Sequence, residues 1–289
     1  MVGYKVGSKW TKEICKMIFT KMHGAGNDFI IINNIEEKIP VAELPKVAEK
    51  LCHRRFSIGA DGFMVVDHPE YGGDYKMRFY NSDGSLGEMC GNGARCIARY
   101  GNEHGLAGDV QKIETIAGLV IGYKESEDLY RIKLNDVTTM KHIAIQQDEK
   151  EYDCVYVELG DPGIPHVVVE IPGLKDMESE ELQQLGRNLR HCKSFPKGAN
   201  VNFYDIIGKD ELVELTYERG VEGFTLACGT GTGSVVAALT RENLVSGNNV
   251  KVNVPGGVLY ITFNEEGLFL TGPTAIVAEG TINEKELLK

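Results

Sequence analysis

Short runs of alternating apolar and polar residues dominate the chain and predict strands in both halves. They are rich in Val, Ile, Tyr and Phe and are broken by Gly, Asn and Asp, as strands and their turns usually are. The runs are MIFTKM, DFIIIN, DGFMVVD, YKMRFYN, KIETIAGLVIGYK and YRIKLN, followed by CVYVEL, HVVVEI, VNFYDI, ELVELTYE, VKVNV and VLYITF. The pattern predicts two sets of mostly antiparallel strands.

Four segments instead place their apolar residues at helical spacing, namely 41–54, 91–100, 179–191 and 229–242. The last contains SVVAALT, which has almost no polar face, and a helix that is apolar all round is normally buried. We therefore predict an α+β fold with two pseudo-symmetric domains. Each should be a curved, mostly antiparallel sheet or barrel around one buried central helix.

The length of the chain supports two domains, because 289 residues exceed the usual size of a single core. The polar segment 135–147 separates the two sets of strands. We expect an N-terminal extension over residues 1–16, a first domain over 17–138 and a second over 139–276. Residues 277–289 could pack back on the first domain.

Composition narrows the classes of partner. The formal net charge of -11 argues against nucleic acid or an anionic membrane, since both require a basic surface. No apolar run reaches membrane-spanning length. The seven cysteines include no CxxC pair, and no signal peptide is recognisable, so we predict a cytoplasmic protein with reduced thiols and no zinc. The expected partner is a small amino acid, with a homodimer as a candidate assembly.

Two stretches, MCGNGARC and ACGTGTG, place a cysteine directly before glycine, a polar residue, glycine and a helical run. The first N–H groups of a helix have no partner within it and carry partial positive charge. Glycines leave those groups uncovered. We therefore predict an anion cradle, with a substrate carboxylate bound by Gly91 and Asn92 on one helix and by Gly229 and Thr230 on the other.

The same helix starts should favour thiolates, so the pKa of Cys90 and Cys228 is expected to fall from about 8.5 to roughly 3.5–7.5. If the halves face each other, one thiolate could remove a proton from a carbon while the opposite thiol delivers another. This would invert the centre without a cofactor. Either cysteine alone is better explained as a small buried hydrophobe. A disulfide between them and a nucleotide loop are alternatives, although CGTGTGS lacks the lysine and spacing of such loops.

With these motifs the sequence resembles the diaminopimelate epimerases, members of a superfamily of cofactor-independent amino-acid racemases. The likeness runs from Met17 onward and rests on KMHGAGNDF, YNSDGS, MCGNGARC, FPKGANVNF, YERG and ACGTGTG. Proline racemases are similar but carry CGH at the first site, where this chain has Asn92. The resemblance implies epimerisation of LL-diaminopimelate to the meso form, in lysine and cell-wall precursor synthesis, with no cofactor and no metal.

The resemblance also assigns roles to individual residues. It implies that Cys90 and Cys228 are the acid/base thiols and that Asn27 contributes to the site. It also implies that Glu218 and His166 are catalytic residues near the reacting ammonium and the thiols. The second amino-acid group would be recognised by Asn81, Asn200 and Arg219. A guanidinium suits that task because it can hold a carboxylate bidentately. Without the motifs, the asparagines would be assigned to turns and the Glu-Arg pair to a solvated surface.

Three positions depart from the family pattern. The chain has GDPGIPH where Gly-Asn-Pro-His is usual, so either Ile164 replaces an asparagine or a two-residue insertion moves Asp161 into its place. Gly62 stands where a glutamine is often found, and Phe224 interrupts a GET run. These changes leave open a racemase or epimerase of another amino acid, such as lanthionine or histidine. A non-catalytic amino-acid binder is the alternative outside enzymes, but binding alone would not require two thiols.

Overall fold

The computed structural model describes residues 16–87, 89–147, 150–176 and 179–283. The predicted extension, residues 1–16, lies outside this part of the chain except for Lys16. Residues 284–289 of the expected C-terminal segment also lie outside it.

Strands are the commonest element of the described chain, as the alternating runs predict. The first half contains β1 Lys16–Gly24, β2 Asn27–Asn33, β3 Gly62–Asp67, β4 Tyr75–Asn81, β5 Leu86–Gly87, β6 Val110–Thr115, β7 Gly118–Lys124 and β8 Leu129–Lys133. The second half contains β9 Val137–Gln147, β10 Lys150–Leu159, β11 Ile164–Glu170, β12 Asn200–Gly208, β13 Glu211–Glu218, β14 Gly223–Phe224, β15 Val250–Val254, β16 Gly257–Asn264, β17 Gly267–Pro273 and β18 Ala275–Asn283.

The helices include one at each of the four segments predicted from helical spacing. They are α1 Asn34–Glu37, α2 Leu44–Cys52, α3 Gly91–Glu103, α4 Ser179–Arg190 and α5 Gly229–Arg241. The segment predicted over 41–54 begins with a 3-10 turn, Val41–Glu43, and α2 follows with Pro45 in its first turn, where no N–H donor is needed. Helix α1 was not predicted because a single turn carries no periodicity.

The two halves repeat one order of strand pairing. In the first half, the parallel pairs are β2 with β3, which are connected through α2, and β4 with β6, which are connected through α3. In the second half, β11 pairs in parallel with β12 through α4, and β13 with β15 through α5. The other described pairings are antiparallel. The predicted α+β class with mostly antiparallel strands and two related halves is confirmed.

The halves share one sheet of 18 strands. Strand β8 pairs with β17, and the C-terminal strand β18 pairs with β1 of the first half, with Met17 opposite Ile282. The polar segment 135–147, expected to separate the two strand sets, contains β9, which pairs with β10. Most side chains of β9 are exposed or half-buried, so the segment lacks the regular apolar positions that indicate a strand.

Both central helices lie in one continuous hydrophobic core. Buried residues of α3, among them Ile97, and of α5, among them Val235 and Val236, belong to the same cluster. The outer helices α2 and α4 pack on the other sides of their sheets in two separate clusters. In each half, strands of the shared sheet therefore lie between an amphipathic outer helix and a buried inner one.

Candidate active site

The N-termini of α3 and α5 meet face to face at two glycines. A Cβ added to Gly91 would lie 3.7 Å from the Cα of Gly229, and the converse distance is also 3.7 Å. The same added atoms would lie 3.1 Å and 2.7 Å from Cδ2 of Leu270. The added atom at Gly229 would clash with Leu270, and a larger side chain at either position would fill the space between the helix starts, so glycine allows their close approach. The uncovered N–H groups and the positive ends of both helix dipoles therefore converge.

A cysteine with an extended backbone precedes each of these helices. Cys90 and Cys228 occupy the N-cap positions, with φ and ψ of -126° and 120° in the first and -114° and 101° in the second. The Sγ of Cys90 lies 3.4 Å from Oδ1 of Asn27, and the Sγ of Cys228 lies 3.6 Å from Oγ1 of Thr230. The cysteines of the described part of the chain are all free thiols, so no disulfide joins these two.

Asn92 connects the two halves beside the thiols. Its Nδ2 donates a hydrogen bond of 3.1 Å to the carbonyl of Ala227, the residue before Cys228, and lies 3.5 Å from Oδ1 of Asn27. The amide of Asn27 in turn donates to Oδ2 of Asp61 at 2.7 Å. The start of β2, the first turn of α3 and the segment leading into α5 are thus held together.

The prediction of lowered thiol pKa values is wrong for both cysteines. Burial raises the pKa of Cys90 above its ordinary value, and the N–H groups of Asn92 and Gly93 only partly oppose this. Burial also raises the pKa of Cys228, further than at Cys90. The helix ends favour a thiolate as argued from sequence, but the desolvation cost of a buried anion is larger. Both groups are therefore neutral thiols near pH 7.

Glu218 lies within electrostatic range of both sulfurs. It ends β13, opposite Gly223 of β14, and burial raises the pKa of its carboxyl. After burial, the largest effect opposing ionisation of Cys90 and of Cys228 is the negative charge of Glu218. One carboxyl group therefore influences both thiols, as expected for residues of a single site.

His166 is completely buried in β11, directly opposite Asn200 in β12. Its Nδ1 lies 3.0 Å from Oδ1 of Asn202, whereas its Nε2 is buried and has no hydrogen-bond partner within the described chain. Burial lowers the pKa of His166 to about 4, so the ring is neutral at physiological pH.

The residues predicted to recognise the distal group fall into two places. Oδ1 of Asn200 accepts a hydrogen bond of 2.8 Å from the backbone N–H of Arg219, whose exposed guanidinium donates to the carbonyl of Lys197 at 3.2 Å. Asn81 lies in the first half at the exposed end of β4, and its amide donates to Oγ of Ser85 in its own turn at 3.0 Å. Two of the three predicted residues are therefore adjacent.

A model of the diaminopimelate epimerase family matches residues 19–138 and 159–277, most of the chain. The chain belongs to this family. It is 38% identical to the diaminopimelate epimerase of Archaeoglobus fulgidus, covering 94% of this chain and 98% of that protein. It is 36% identical to the diaminopimelate epimerase of Halothermothrix orenii, covering 92% of this chain and 98% of that protein.

Solved structures with low sequence identity share the fold. A phenazine biosynthesis protein of the PhzF family from Enterococcus faecalis aligns with a TM-score of 0.67 at 14% identity, over 93% of this chain and 99% of that one. A hydroxyproline epimerase from Agrobacterium vitis aligns with a TM-score of 0.66 at 16% identity, over 92% and 91%. These likenesses concern the architecture alone.

The structure shows how the three departures from the family pattern are accommodated. Ile164 is the first residue of β11 and pairs with Leu159, while Asp161 is exposed in the turn between β10 and β11. Asp161 therefore lies in the turn, whereas Ile164 lies in the strand that carries His166. At Gly62, the ring of Phe79 fills the space that a side chain would need. Phe224 packs edge-on against Tyr217, with ring centroids 5.8 Å apart.

Sequence reasoning missed three buried polar residues near the helix starts. Arg95 is fully buried in α3, donates to Oδ1 of Asn92 at 3.0 Å, and has a pKa lowered to about 10 by burial. Asn202 and Glu214 are buried beneath α5. The sequence signal for such residues is a polar side chain at a strand position whose side chain faces the core, as at Asn202 in NVNF. Among the described residues, no cluster of His, Cys, Asp or Glu could hold a metal ion.

Proposed function

We propose that this chain inverts one α-carbon of LL-2,6-diaminopimelate, giving the meso form, by a two-thiol mechanism that needs no cofactor. Its place in the diaminopimelate epimerase family supports the substrate and a role in lysine biosynthesis. The single observation that supports the mechanism is that two cysteine-capped helix starts meet at Gly91 and Gly229. A Cβ built on either glycine would lie 3.7 Å from the Cα of the other.

The helix starts suit a substrate α-carboxylate. In the proposed complex it accepts hydrogen bonds from the N–H groups of Gly91, Asn92, Gly229 and Thr230, where two helix dipoles add to the attraction. Delocalisation of the developing carbanion into this carboxylate places negative charge where those donors already point. Preorganised donors of this kind stabilise a transition state without reorganisation.

Proton transfer in the proposed reaction uses one thiolate and one thiol. The thiolate takes the α-proton and becomes a thiol, while the opposite thiol gives its proton to the other face and becomes a thiolate. The number of protons on the pair is unchanged, so the reverse reaction exchanges their roles. Since both thiols are neutral near pH 7, the pair must first lose one proton to solvent, and the bound ammonium and the helix dipoles must offset the cost of forming this first thiolate.

Neighbouring side chains would orient the reacting amino group. We assign Glu218 and Nε2 of His166 as hydrogen-bond acceptors for the substrate ammonium, and Asn27 as the residue that positions Cys90 through its contact with Sγ. The distal carboxylate and amino group would be bound by Asn200, Arg219 and Asn81. This assignment gives Arg219 the bidentate contact that a carboxylate favours.

The decisive experiment is turnover of LL-diaminopimelate in D2O under reducing conditions. We expect the meso isomer to accumulate and deuterium to enter the α-carbon as its configuration changes. Tight binding measured by calorimetry with no loss of optical purity would contradict the proposal and would favour the non-catalytic binder.

A second candidate, epimerisation of a related amino acid, is favoured by the altered surroundings of the distal site. Phe79 and Ile164 offer apolar surface where the family pattern has amide side chains. Chiral analysis after incubation with lanthionine, histidine and LL-diaminopimelate separates the candidates. A higher kcat/KM for lanthionine or histidine would transfer the function to that substrate and leave the two-thiol mechanism in place.

A further inference from the structure

A chain of buried polar side chains connects β13 to His166 beneath the first turn of α5. Glu214 is 1% exposed, and Asn202 and His166 are fully buried. Nδ2 of Asn202 donates to Oε1 of Glu214 at 3.2 Å, and Oδ1 of the same amide lies 3.0 Å from Nδ1 of His166. We propose that Asn202 and Glu214 are positioning residues that hold His166 in its Nδ1–H tautomer and so present Nε2 as a hydrogen-bond acceptor.

The first step is that Glu214 determines which way the amide of Asn202 points. An unprotonated carboxylate oxygen only accepts hydrogen bonds, so the amide must turn its NH2 group toward Oε1. The hydroxyl of Thr216 reinforces this orientation, because it donates to Oε1 of Glu214 at 3.2 Å and accepts from Nδ2 of Asn202 at 3.1 Å. The flipped amide would place two acceptor oxygens against each other.

Protonation of Glu214 does not remove this constraint. Burial raises the pKa of Glu214 to about 7, so both forms are populated near neutral pH. The hydroxyl of Thr232 hydrogen-bonds Oε2 of Glu214 and also lies 3.0 Å from the carbonyl oxygen of Cys228. When Oε2 is protonated, its O–H can donate a hydrogen bond to the hydroxyl oxygen of Thr232, and that hydroxyl then donates a hydrogen bond to the carbonyl of Cys228. Oε1 stays an acceptor for Asn202 in either form.

The second step is that Asn202 determines the tautomer of His166. With NH2 directed to Glu214, the amide presents only its oxygen to the ring, so Nδ1 must carry the proton. A neutral imidazole has one donor and one acceptor nitrogen, which leaves Nε2 with a free lone pair. The ring is neutral near pH 7, and Nε2 is buried without a partner in the described chain. A buried acceptor of this kind is suited to a cationic donor.

The amide of Asn202 also packs against the first turn of α5, the helix that follows Cys228. A Cβ added to Gly231, in the first turn of α5, would overlap Nδ2 of Asn202 and lie 3.3 Å from Cβ of Cys228. The orientation of His166 is therefore coupled to the helix start that carries Cys228. Resting on the proposed function, we assign the substrate ammonium as the donor to Nε2.

The tautomer can be measured directly by NMR of protein labelled with 15N-histidine, with His166 assigned by its loss in a His166→Gln variant. We expect the wild-type ring at pH 7 in the Nδ1–H form. Asn202→Leu removes the acceptor, so the Nε2–H form should become populated. A wild-type ring in the Nε2–H form, or an unchanged tautomer in Asn202→Leu, would overturn the proposal.

Two variants of Glu214 separate orientation from packing. Glu214→Gln can keep an amide oxygen toward Asn202 and should retain the wild-type tautomer. Glu214→Leu leaves Asn202 free to flip and should populate Nε2–H. Equal tautomer ratios in the two variants would contradict the role of Glu214.

The control is Gln111→Leu in the first half. Gln111 is fully buried and bonds Tyr75 at 2.6 Å and the carbonyl of Ala98 at 2.7 Å, so the variant loses a comparable buried network. It should lower the melting temperature without changing the His166 signal. A changed His166 signal in this control would show that the tautomer reports packing in general and would count against the proposal.

Kinetics give an independent readout. Asn202→Leu should raise KM for LL-diaminopimelate about tenfold, as expected for loss of one hydrogen bond to a charged group, with a smaller change in kcat. A wild-type enzyme that has the expected tautomer but does not turn over LL-diaminopimelate would refute the proposed function and leave the tautomer assignment standing.

Discussion

The starts of α3 and α5 have the same geometry but different electrostatic surroundings. Each has a cysteine N-cap, a glycine at the contact between helices and a second glycine two residues later. Cys90 is partly exposed, beside the amide of Asn27 and within range of the buried guanidinium of Arg95. Cys228 is only 8% exposed, and the carboxyl groups of Glu218 and Glu214 both oppose its ionisation.

This difference shows that a repeated backbone does not imply equivalent chemistry. Both thiols have raised pKa values, and the charge of Glu218 opposes ionisation of each. At Cys90 the guanidinium of Arg95 opposes that effect, whereas at Cys228 the carboxyl of Glu214 adds to it. We infer that Cys90 is the thiol that ionises first when substrate binds and that Cys228 stays protonated. The inference can be tested by changing one half at a time.

The largest effect is expected from removing either sulfur. Cys90→Ala and Cys228→Ala should each lower kcat for epimerisation by about 10²–10⁴-fold, since each removes an acid/base group from one face of the carbon. Chiral chromatography of the products measures the loss. Cys96→Ala, at a buried cysteine further along α3, is the matched control and should retain activity. Near-normal turnover by either active-site variant would exclude two-thiol catalysis.

A smaller effect is expected from the residues assigned to the distal end of the substrate. The second half of the protein contributes the charge of Arg219 there, and the first half contributes the amide of Asn81. Arg219→Lys should raise KM about 10–100-fold, because lysine cannot form a bidentate contact with a carboxylate. Asn81→Ala should raise KM less, since its loss removes a neutral contact. Steady-state kinetics on LL-diaminopimelate test this order. A larger effect from Asn81→Ala would place the distal carboxylate on the first half.

Alanine at the second glycine of each helix start compares the packing beneath the thiols. Gly231→Ala should lower the free energy of unfolding by about 1–3 kcal/mol, because the new Cβ overlaps the constrained amide of Asn202. The nearest atom to the Cβ of Gly93→Ala is Sδ of the flexible Met64 at 3.1 Å, followed by Cζ of Phe29 at 3.4 Å, and alanine gains helix propensity, so the effect should be under about 1 kcal/mol. Urea denaturation of both variants measures the difference. Equal losses would contradict the asymmetry.

The smallest effect concerns relative thiol reactivity. Iodoacetamide should modify Cys90 several-fold faster than Cys228, because Cys90 is more exposed and its pKa is raised less. Since both pKa values lie above the ordinary value of 9.0, the rate should rise about tenfold per pH unit from pH 7 to 9. Peptide mass spectrometry at timed intervals gives both rates. A rate plateau below pH 8 would indicate a preformed thiolate.

Local patterns predicted much of the fold and of the site. Period-two alternation indicated the strands, and the apolar SVVAALT run correctly indicated that α5 is buried. The repeated cysteine-glycine motif predicted two helix starts, and these meet at Gly91 and Gly229. Such features depend on residues close together in the chain, so they can be recognised without knowing the tertiary structure.

Other features depend on contacts between distant residues. The sequence placed Cys90 and Cys228 at helix ends but could not predict how deeply they are buried, and burial reverses the expected pKa shift. The sequence showed that Gly62 departs from the family pattern. It could not show that the ring of Phe79 occupies the space a side chain at position 62 would need. The site around His166 combines residues of β11, β12 and β13, which become neighbours only in the folded sheet.

The sequence by itself indicated the four longer helices, most of the strands, their duplication and the chemical groups placed at each helix start. Only the tertiary structure decided which helix starts meet, how deeply each thiol is buried, and which polar side chains contact His166. Periodicity and capping are properties of neighbouring residues. Desolvation and buried hydrogen bonds depend on everything within a few ångströms, wherever it lies in the chain.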